Sequence, residues 1–212
     1  MSVLVITILC GMIFPAVITG IAQTAFHKQA NGSLIEQDGK VIGSEIIGQD
    51  FQKPYYFHPR PSAAGSGYDA SNSSGTNLGP SSDKLINGIH KKTADGKDDP
   101  GNFDGIKDLA DAYRKENELP AGAPVPADAV TRSASGLDPE ISPANAQIQV
   151  VHVARERKIA KEQVLKLVDD NTQGRQLGLL GEPRVNVLKL NRALDKLSPP
   201  PAGTTSGSAT GK

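Results

Sequence analysis

Hydrophobic positions are unevenly spread along the 212-residue chain. From Val3 to Ala22 it reads VLVITILCGMIFPAVITGIA, twenty residues without a charge, eleven of them Val, Leu, Ile or Phe. At about 1.5 Å per helical residue such a run spans roughly 30 Å, the thickness of a bilayer's hydrocarbon layer. Its aliphatic side chains favour insertion by roughly 3–7 kcal/mol. A membrane helix over residues 3–22 is therefore expected, kinked at Pro15, with Ala16 and Gly20 at a small-xxx-small spacing. A cleaved signal peptide is the alternative, because Gly20-Ile21-Ala22 loosely matches a signal exit; nothing basic precedes the run, however, and it is longer than a signal's apolar stretch. Lys28 and Lys40, the nearest cations, do not set the orientation by charge.

Beyond the run the pattern changes. Leu34-Ile35, Asp38-Gly39 and Val41-Ile42 predict two short strands around a type I′ turn. Phe51, Tyr55, Tyr56, Phe57 and Tyr68 are five of the nine aromatics and the expected aromatic part of the core. From Pro61 to Ser82 the chain is nearly all Ser, Gly, Asn, Ala and Pro, either a flexible linker or an ordered loop anchored by Tyr68 and Leu78. Five helices follow. One is capped by Ser82 and carries Leu85 and Ile89. A second is capped by Asp104 and carries Ile106, Leu109 and Tyr113. A third starts at Ser142-Pro143 with Ala144, Ile148 and Val151 as its apolar stripe, and Arg155 and Arg157 near its C-terminal end. A fourth runs from about Lys161 with Val164, Leu167 and Val168. The last runs from about Val187 with Leu190, Leu194 and Leu197. Residues 90–105 read as an inserted surface excursion, 120–126 as a break inside the domain, and 198–212 as a disordered tail.

Composition narrows the function. Lys+Arg and Asp+Glu balance at 23 each, which argues against a nucleic-acid partner. The aromatic share is 4% with no Trp, while Gly (22) and Pro (15) are plentiful, so a small loop-rich core is expected rather than a deep-pocketed enzyme. Cys10 is the only cysteine, and His27, His58, His90 and His152 lie far apart without metal-ligand spacing. Gly65-Ser66-Gly67-Tyr68-Asp69-Ala70 fits a dinucleotide fingerprint in letters, but Arg60-Pro61-Ser62-Ala63-Ala64 before it is not a buried strand. Gly211-Lys212 lacks the rest of a P-loop. No G-x-S-x-G elbow and no Asp-Lys-Thr-Gly phosphorylation signature occurs.

Four stretches together resemble one family. They are Gly32-Ser33-Leu34-Ile35 through Gly43–Gln49 to Tyr56-Phe57-His58-Pro59-Arg60-Pro61-Ser62-Ala63; Tyr68-Asp69 with Ser74-Gly75-Thr76-Asn77-Leu78-Gly79-Pro80-Ser81; Val125–Thr131 with Ser135-Gly136-Leu137-Asp138-Pro139, Ile141-Ser142-Pro143, Gln149 and Val153-Ala154; and Leu180-Gly181-Glu182-Pro183-Arg184-Val185-Asn186-Val187-Leu188 with Leu190-Asn191 and Ala193-Leu194-Asp195. In this order, behind a single membrane helix, they look like the C-subunit (KdpC) family of the bacterial potassium-importing P-type ATPase, the Kdp complex. The chain departs from the family pattern at Ser74, Ser82, Glu140 (usually His) and His152 (usually a basic residue).

The resemblance implies an α+β protein, a single transmembrane helix followed by a small mixed sheet-and-helix domain over 27–197 on the outer side of the cytoplasmic membrane. It implies a non-catalytic subunit of a complex that as a whole handles ATP and potassium, with no cofactor assigned to this chain itself. Its implied partners are a potassium-channel-like A subunit, a P-type B subunit that hydrolyses ATP, and membrane lipid. The implied roles are assembly of the complex and action as a catalytic chaperone that raises the pump subunit's ATP affinity, with the Gln matching Gln149 implicated. Arg60, Asn77, Gly79 and Gln149 are the candidate partner contacts. Each has a plainer reading: Arg60 in an internal ion pair, Asn77 and Gly79 shaping a loop, Gln149 solvated at the edge of its helix's buried stripe. Asp138-Pro139 is expected to set the turn into the third helix, and Arg184 either to cap or to pair. The rival from another class is a membrane-anchored extracytoplasmic enzyme or ligand-binding domain.

Overall fold

The computed structural model describes residues 1–201 and divides into two compact units, Met1–Ile46 and a second beginning at Ile47. Of the tail expected over 198–212, residues 202–212 lie outside the described residues.

The first unit opens with one continuous helix, Ser2–Ala25, 24 residues long and apolar enough to cross a membrane. It comprises α1 (Ser2–Ile8), a π-helical turn (Leu9–Ile13) and α2 (Phe14–Ala25). Pro15 lies inside this continuous helix, where it has no N–H to give, and the wider turn before it lets the Phe14 N–H reach the Leu9 carbonyl. The helix's large aliphatic side chains are exposed, as a lipid-facing surface requires. After the one-turn α3 (His27–Ala30) come β1 (Leu34–Gln37) and β2 (Lys40–Ser44), an antiparallel hairpin with Gln37 opposite Lys40. Asp38 and Gly39 both have positive φ (51° and 73°), as a type I′ turn demands. Lys28 Nζ pairs with Glu45 at 2.5 Å.

The second unit is α+β. Its small sheet has the order β3-β5-β4, all antiparallel, from β3 (Glu140–Ile141), β4 (Thr172–Gln173) and β5 (Arg184–Asn186). Its helices are α4 (Asp83–Asn87), α5 (Ile106–Glu116), α6 (Ala127–Val130), α7 (Pro143–Arg157), α8 (Lys161–Asn171) and α9 (Val187–Leu197). The main core joins Phe57, Val150, Val153, Val164, Val168, Val185, Leu190 and Leu194, all fully buried. A smaller cluster joins Tyr113 and Ala110 of α5 to Ala129 and Val130 of α6, with Ile148 packed against it.

Several local expectations change. Ser82 caps α4 through the Leu85 N–H, but the helix stops at Gly88, and Ile89 instead bridges Phe103 across the 90–105 excursion. Asp104 does not cap α5. The N-cap is Gly105, whose N–H is taken by Asp108 Oδ2 at 2.7 Å. Ser142 does cap α7. The stripe expected to be buried there is misplaced, however: Ala144 is exposed, Val151 is 41% exposed, and the inward face carries Asn145, Ala146, Gln149, Val150, His152 and Val153. Arg157 is also buried, donating to the Tyr55 and Ser198 carbonyls and pairing with Asp195 at 2.6 Å. Leu197 of α9 is 44% exposed, whereas Leu190 and Leu194 are buried as expected.

Candidate functional site

The polar stretch after Pro61 is an ordered loop. Ser62 Oγ donates to the Gly136 carbonyl (2.6 Å) and accepts the Ala64 and Tyr68 N–H groups, while the Tyr68 hydroxyl donates to the Arg60 carbonyl. Gly136, with φ 67°, lies so close to Ala64 that a β-carbon would stand 2.7 Å from its Cβ, so only glycine fits. Hydroxyl-to-backbone bonds of this kind hold a chain too polar to form a core of its own.

Upstream of this loop, residues 56–60 have no regular secondary structure, with Phe57 fully buried and its neighbours half-buried, and their backbone groups need partners. Two side-chain amides supply them. Asn191 of α9 accepts the Phe57 N–H and donates to the Phe57 carbonyl, both at 2.9 Å. Gln149 of α7 does the same for His58, accepting its N–H at 2.7 Å and donating to its carbonyl at 3.1 Å. Each amide thus stands in for a neighbouring strand, and the two residues are only 1% and 2% exposed. The solvated-edge reading of Gln149 is therefore corrected.

From Gln149 the bonding continues outward. Its Nε2 also donates to Asn145 Oδ1 (2.9 Å), which accepts the Tyr113 hydroxyl as well (2.8 Å). Asn145 Nδ2 donates to Asp128, whose carboxylate also takes the Ser142 N–H and hydroxyl. One chain of hydrogen bonds therefore links the Phe57–His58 segment to α5, α6 and the start of α7. Burial, then the charges of Asp128 and Glu116, push the Tyr113 phenol well above its ordinary range.

Beside this chain lies a cleft of about 460 Å³ lined by His58, Glu116, Tyr113, Gln149, Asp50 and Arg60 among others. His58 Nδ1 meets Glu116 at 2.9 Å, and its Nε2 meets the Lys53 carbonyl at 3.1 Å. Burial disfavours the charged His58 ring, but the hydrogen bond and charge of Glu116 outweigh it, and the pKa is raised. Glu116's own value is lowered, chiefly by the His58 hydrogen bond. His152, with its ring centroid 5.8 Å from that of His58, is buried and its pKa is lowered by that burial. Its Nδ1 meets Asn117 Oδ1 at 2.8 Å, while Nε2 has no hydrogen-bond partner among the described residues.

A second cleft, about 760 Å³, opens against β3 and β5 and is walled by two ion pairs. Arg60 binds Asp138 at 2.7 Å and the Thr131 carbonyl, which is the internal reading of that residue. Asp138 also accepts the Glu140 N–H at 3.0 Å, setting the turn into β3. Arg184 pairs with Glu140 at 2.8 Å, so the open question of its role resolves to pairing. Asn77 and Gly79 line neither cleft and are exposed. Asn77 takes positive φ (53°) as a loop-shaping residue does. Gly79 has no positive φ and its β-carbon position is open, so no turn requires glycine there.

The described residues also hold one cluster that linear spacing hides: His90, Asp104 and Asp108 each place a ligand-type atom within 4.8 Å of the others. The Asp108 oxygen facing His90 (3.0 Å) already caps Gly105, so the geometry present is a helix cap that also holds the His90 ring.

The family model for the K+-transporting ATPase c chain, KdpC, matches residues 1–196. The chain belongs to the KdpC family. A potassium-transporting ATPase KdpC subunit of Mycobacterium tuberculosis (strain H37Rv) is 50% identical over 194 residues, 92% of this chain and 94% of its own. Those of Koribacter versatilis (50% over 197 residues; 93% and 92%) and Caulobacter vibrioides NA1000 (50% over 202 residues; 95% and 92%) are equally similar. The match spans both the membrane-length helix and the second unit, so both are part of what a KdpC chain is.

Sequence reasoning singled out Gln149 and Arg60 but missed Asn145, Asn191, His58, Glu116 and Arg157 as the groups that bind the interior together. A signal for part of this was present: Asn145, Gln149 and His152 recur at i, i+4 and i+7, a polar stripe on one helical face.

Proposed function

We propose that this KdpC chain works as the non-catalytic accessory subunit of an ATP-driven potassium import complex. Its helix stays in the cytoplasmic membrane as a single-pass anchor, and its second unit lies on the outer side beside a potassium-channel-like A subunit and a P-type B subunit. The observation that carries this reading is the pairing of an exposed, membrane-length helix with a unit whose buried amides, Asn145, Gln149 and Asn191, are taken up by internal hydrogen bonds. Such a unit is built to hold a shape beside a partner.

Gln149 serves this function as a positioning residue. Its amide already makes three internal hydrogen bonds, so any influence on the pump's ATP affinity runs through the Phe57–His58 segment. Asn77 and Gly79, exposed on the ordered loop, are the better placed of the four candidate contacts to touch a partner directly.

Membranes expressing the full operon test the proposal. Affinity purification through this chain is expected to bring down both large subunits, and alkaline carbonate is expected to leave the chain in the vesicles. A monodisperse lone chain in mild detergent, from membranes that contain the other subunits, overturns it. The enzyme or ligand-binder rival draws on the His58–Glu116 pair in the smaller cleft, and it requires Glu116→Gln to abolish an activity or affinity of the isolated chain.

A further inference from the structure

The membrane-length helix carries a gap in its own hydrogen bonding. In an α-helix a carbonyl accepts from the N–H four residues on, and in a π-helical turn from the N–H five residues on. For Cys10 both donors are missing: the Phe14 N–H is turned to the Leu9 carbonyl, and Pro15 has no N–H. The Gly11 carbonyl loses its four-on donor at Pro15 as well. At about 1.5 Å per residue, Cys10 and Gly11 lie within about 5 Å of the midpoint of Ser2–Ala25, in what becomes the hydrocarbon layer, where no water is at hand. Nothing stands within 4 Å of the place a Gly11 β-carbon would take, so the backbone there is open from outside. The helix's own hydroxyls do not fill the gap. Thr24 donates to the Gly20 and Ile21 carbonyls, and Thr19 is nine residues beyond Cys10, roughly 13 Å along the axis. Thr7 precedes the gap, and its side chain tilts toward the N-terminus while the Cys10 carbonyl points the other way.

We infer that the Cys10–Gly11 backbone is an acceptor site, filled inside the bilayer by a neutral side-chain donor (a hydroxyl, a carboxamide or an indole N–H) on a membrane helix of another chain, the helix here being the retained anchor proposed above. Chemistry selects that occupant. An unpaired carbonyl in hydrocarbon is costly, and lipid tails have nothing to donate. A charged donor carries a larger cost of its own at that depth, which leaves a neutral one. A second copy of this chain does not supply it. Two copies share one orientation, so equal levels of the two helices meet: the copy's Thr7 falls short by the same tilt and its Thr19 by the same roughly 13 Å. The copy's Cys10 offers only a thiol, a weak donor.

Cys10 is the only cysteine, so carbonyl-13C cysteine labels this one carbonyl in the full chain. The labelled chain is placed in vesicles alone, then together with the unlabelled remaining chains of the complex, and read by solid-state carbon NMR. A downfield move of the Cys10 resonance on addition of the other chains is expected, because a carbonyl that accepts a hydrogen bond is deshielded. An unmoved resonance overturns the site. A resonance already downfield in the lone chain, whether from water or from a second copy, overturns it too. Pro15→Ala restores an N–H to the turn, so its lone chain is expected to show the downfield resonance from an internal bond. The same variant is expected to recover the other membrane chains about three- to tenfold less well, with membrane retention unchanged. Undiminished recovery overturns the site. Stripping of the wild-type chain from vesicles by alkaline carbonate overturns the anchor reading and this site together, whereas a retained chain with an unmoved resonance overturns this site alone.

Discussion

Two regions of the second unit invert the ordinary sorting of side chains, and in opposite senses. Around Phe57 and His58, Asn145, Gln149 and Asn191 are buried; at the β4–β5 tip, Leu177, Leu179 and Leu180 stand in water. The buried amides are accounted for within the chain, because each meets backbone or side-chain partners at 2.7–3.1 Å. The leucines have no such account within the chain. A buried polar group with every bond made is architecture; three neighbouring leucines turned outward have no comparable partner among the described residues.

The largest effect that can break this comparison is expected at Asn191. Asn191→Leu leaves the Phe57 N–H and carbonyl buried without partners and should cost about 4 kcal/mol, lowering the melting temperature of the detergent-solubilised chain by about 8 °C or more. Gln149→Leu should cost less, about 2 kcal/mol, because the His58 backbone is only partly buried. Equal losses would mean that burial does not grade the two clamps. Arg157→Met should cost about 3 kcal/mol in urea unfolding: its guanidinium side chain is wholly buried, but the Asp195 left behind is 36% exposed and regains water.

A smaller effect tests the titrating edge of the polar interior. His58's raised pKa means that its pairing with Glu116 contributes fully below the usual histidine value of 6.5 and is lost as pH rises through the raised value. Glu116's lowered pKa means that the contribution holds above its usual 4.5 and disappears as pH falls through the lowered value. His152 has the opposite sign to His58: kept neutral by burial, it favours the fold fully above 6.5 and progressively less as pH drops through its depressed pKa. Glu116→Gln should therefore flatten the alkaline decline in a pH series of melting curves, by less than about 1 kcal/mol because Glu116 is 37% exposed and screened. The smallest effect belongs to the other region. Leu177→Ser should leave thermal stability within about 0.5 kcal/mol of wild type, and a larger loss would show that the tip supports its own fold.

What could be read from the chain beforehand divides along the same line. The membrane-length helix was legible because a bilayer demands a long uncharged run, and the hairpin because Asp38-Gly39 is needed for two successive positive φ values. Ser142 before Pro143 marked the start of α7 correctly. The strands β3, β4 and β5 were not legible, since two or three residues cannot display an alternation. The buried face of α7 was misread because Asn145, Gln149 and His152 look like solvent-facing residues until their partners on remote segments are known. Asp104 looks like a cap in the sequence, but Asp108, from inside the helix, satisfies Gly105 instead. Similarly, the ordering of the loop after Pro61 depends on Ser62 reaching Gly136 across 74 positions, a relation no local pattern contains.

The π-helical turn at Leu9–Ile13 has a consequence for how the anchor meets its surroundings. A residue added to a single turn swings everything beyond it by about 100° around the axis. Positions that an unbroken 3.6-residue count would stack in one line are therefore split between two bearings, one for Ser2–Ile8 and another for Phe14–Ala25. A neighbouring span that seated against Ala16 and Gly20 would meet a different flank of the same rod along Ser2–Ile8. Deleting one residue from the turn would bring the two bearings back into line.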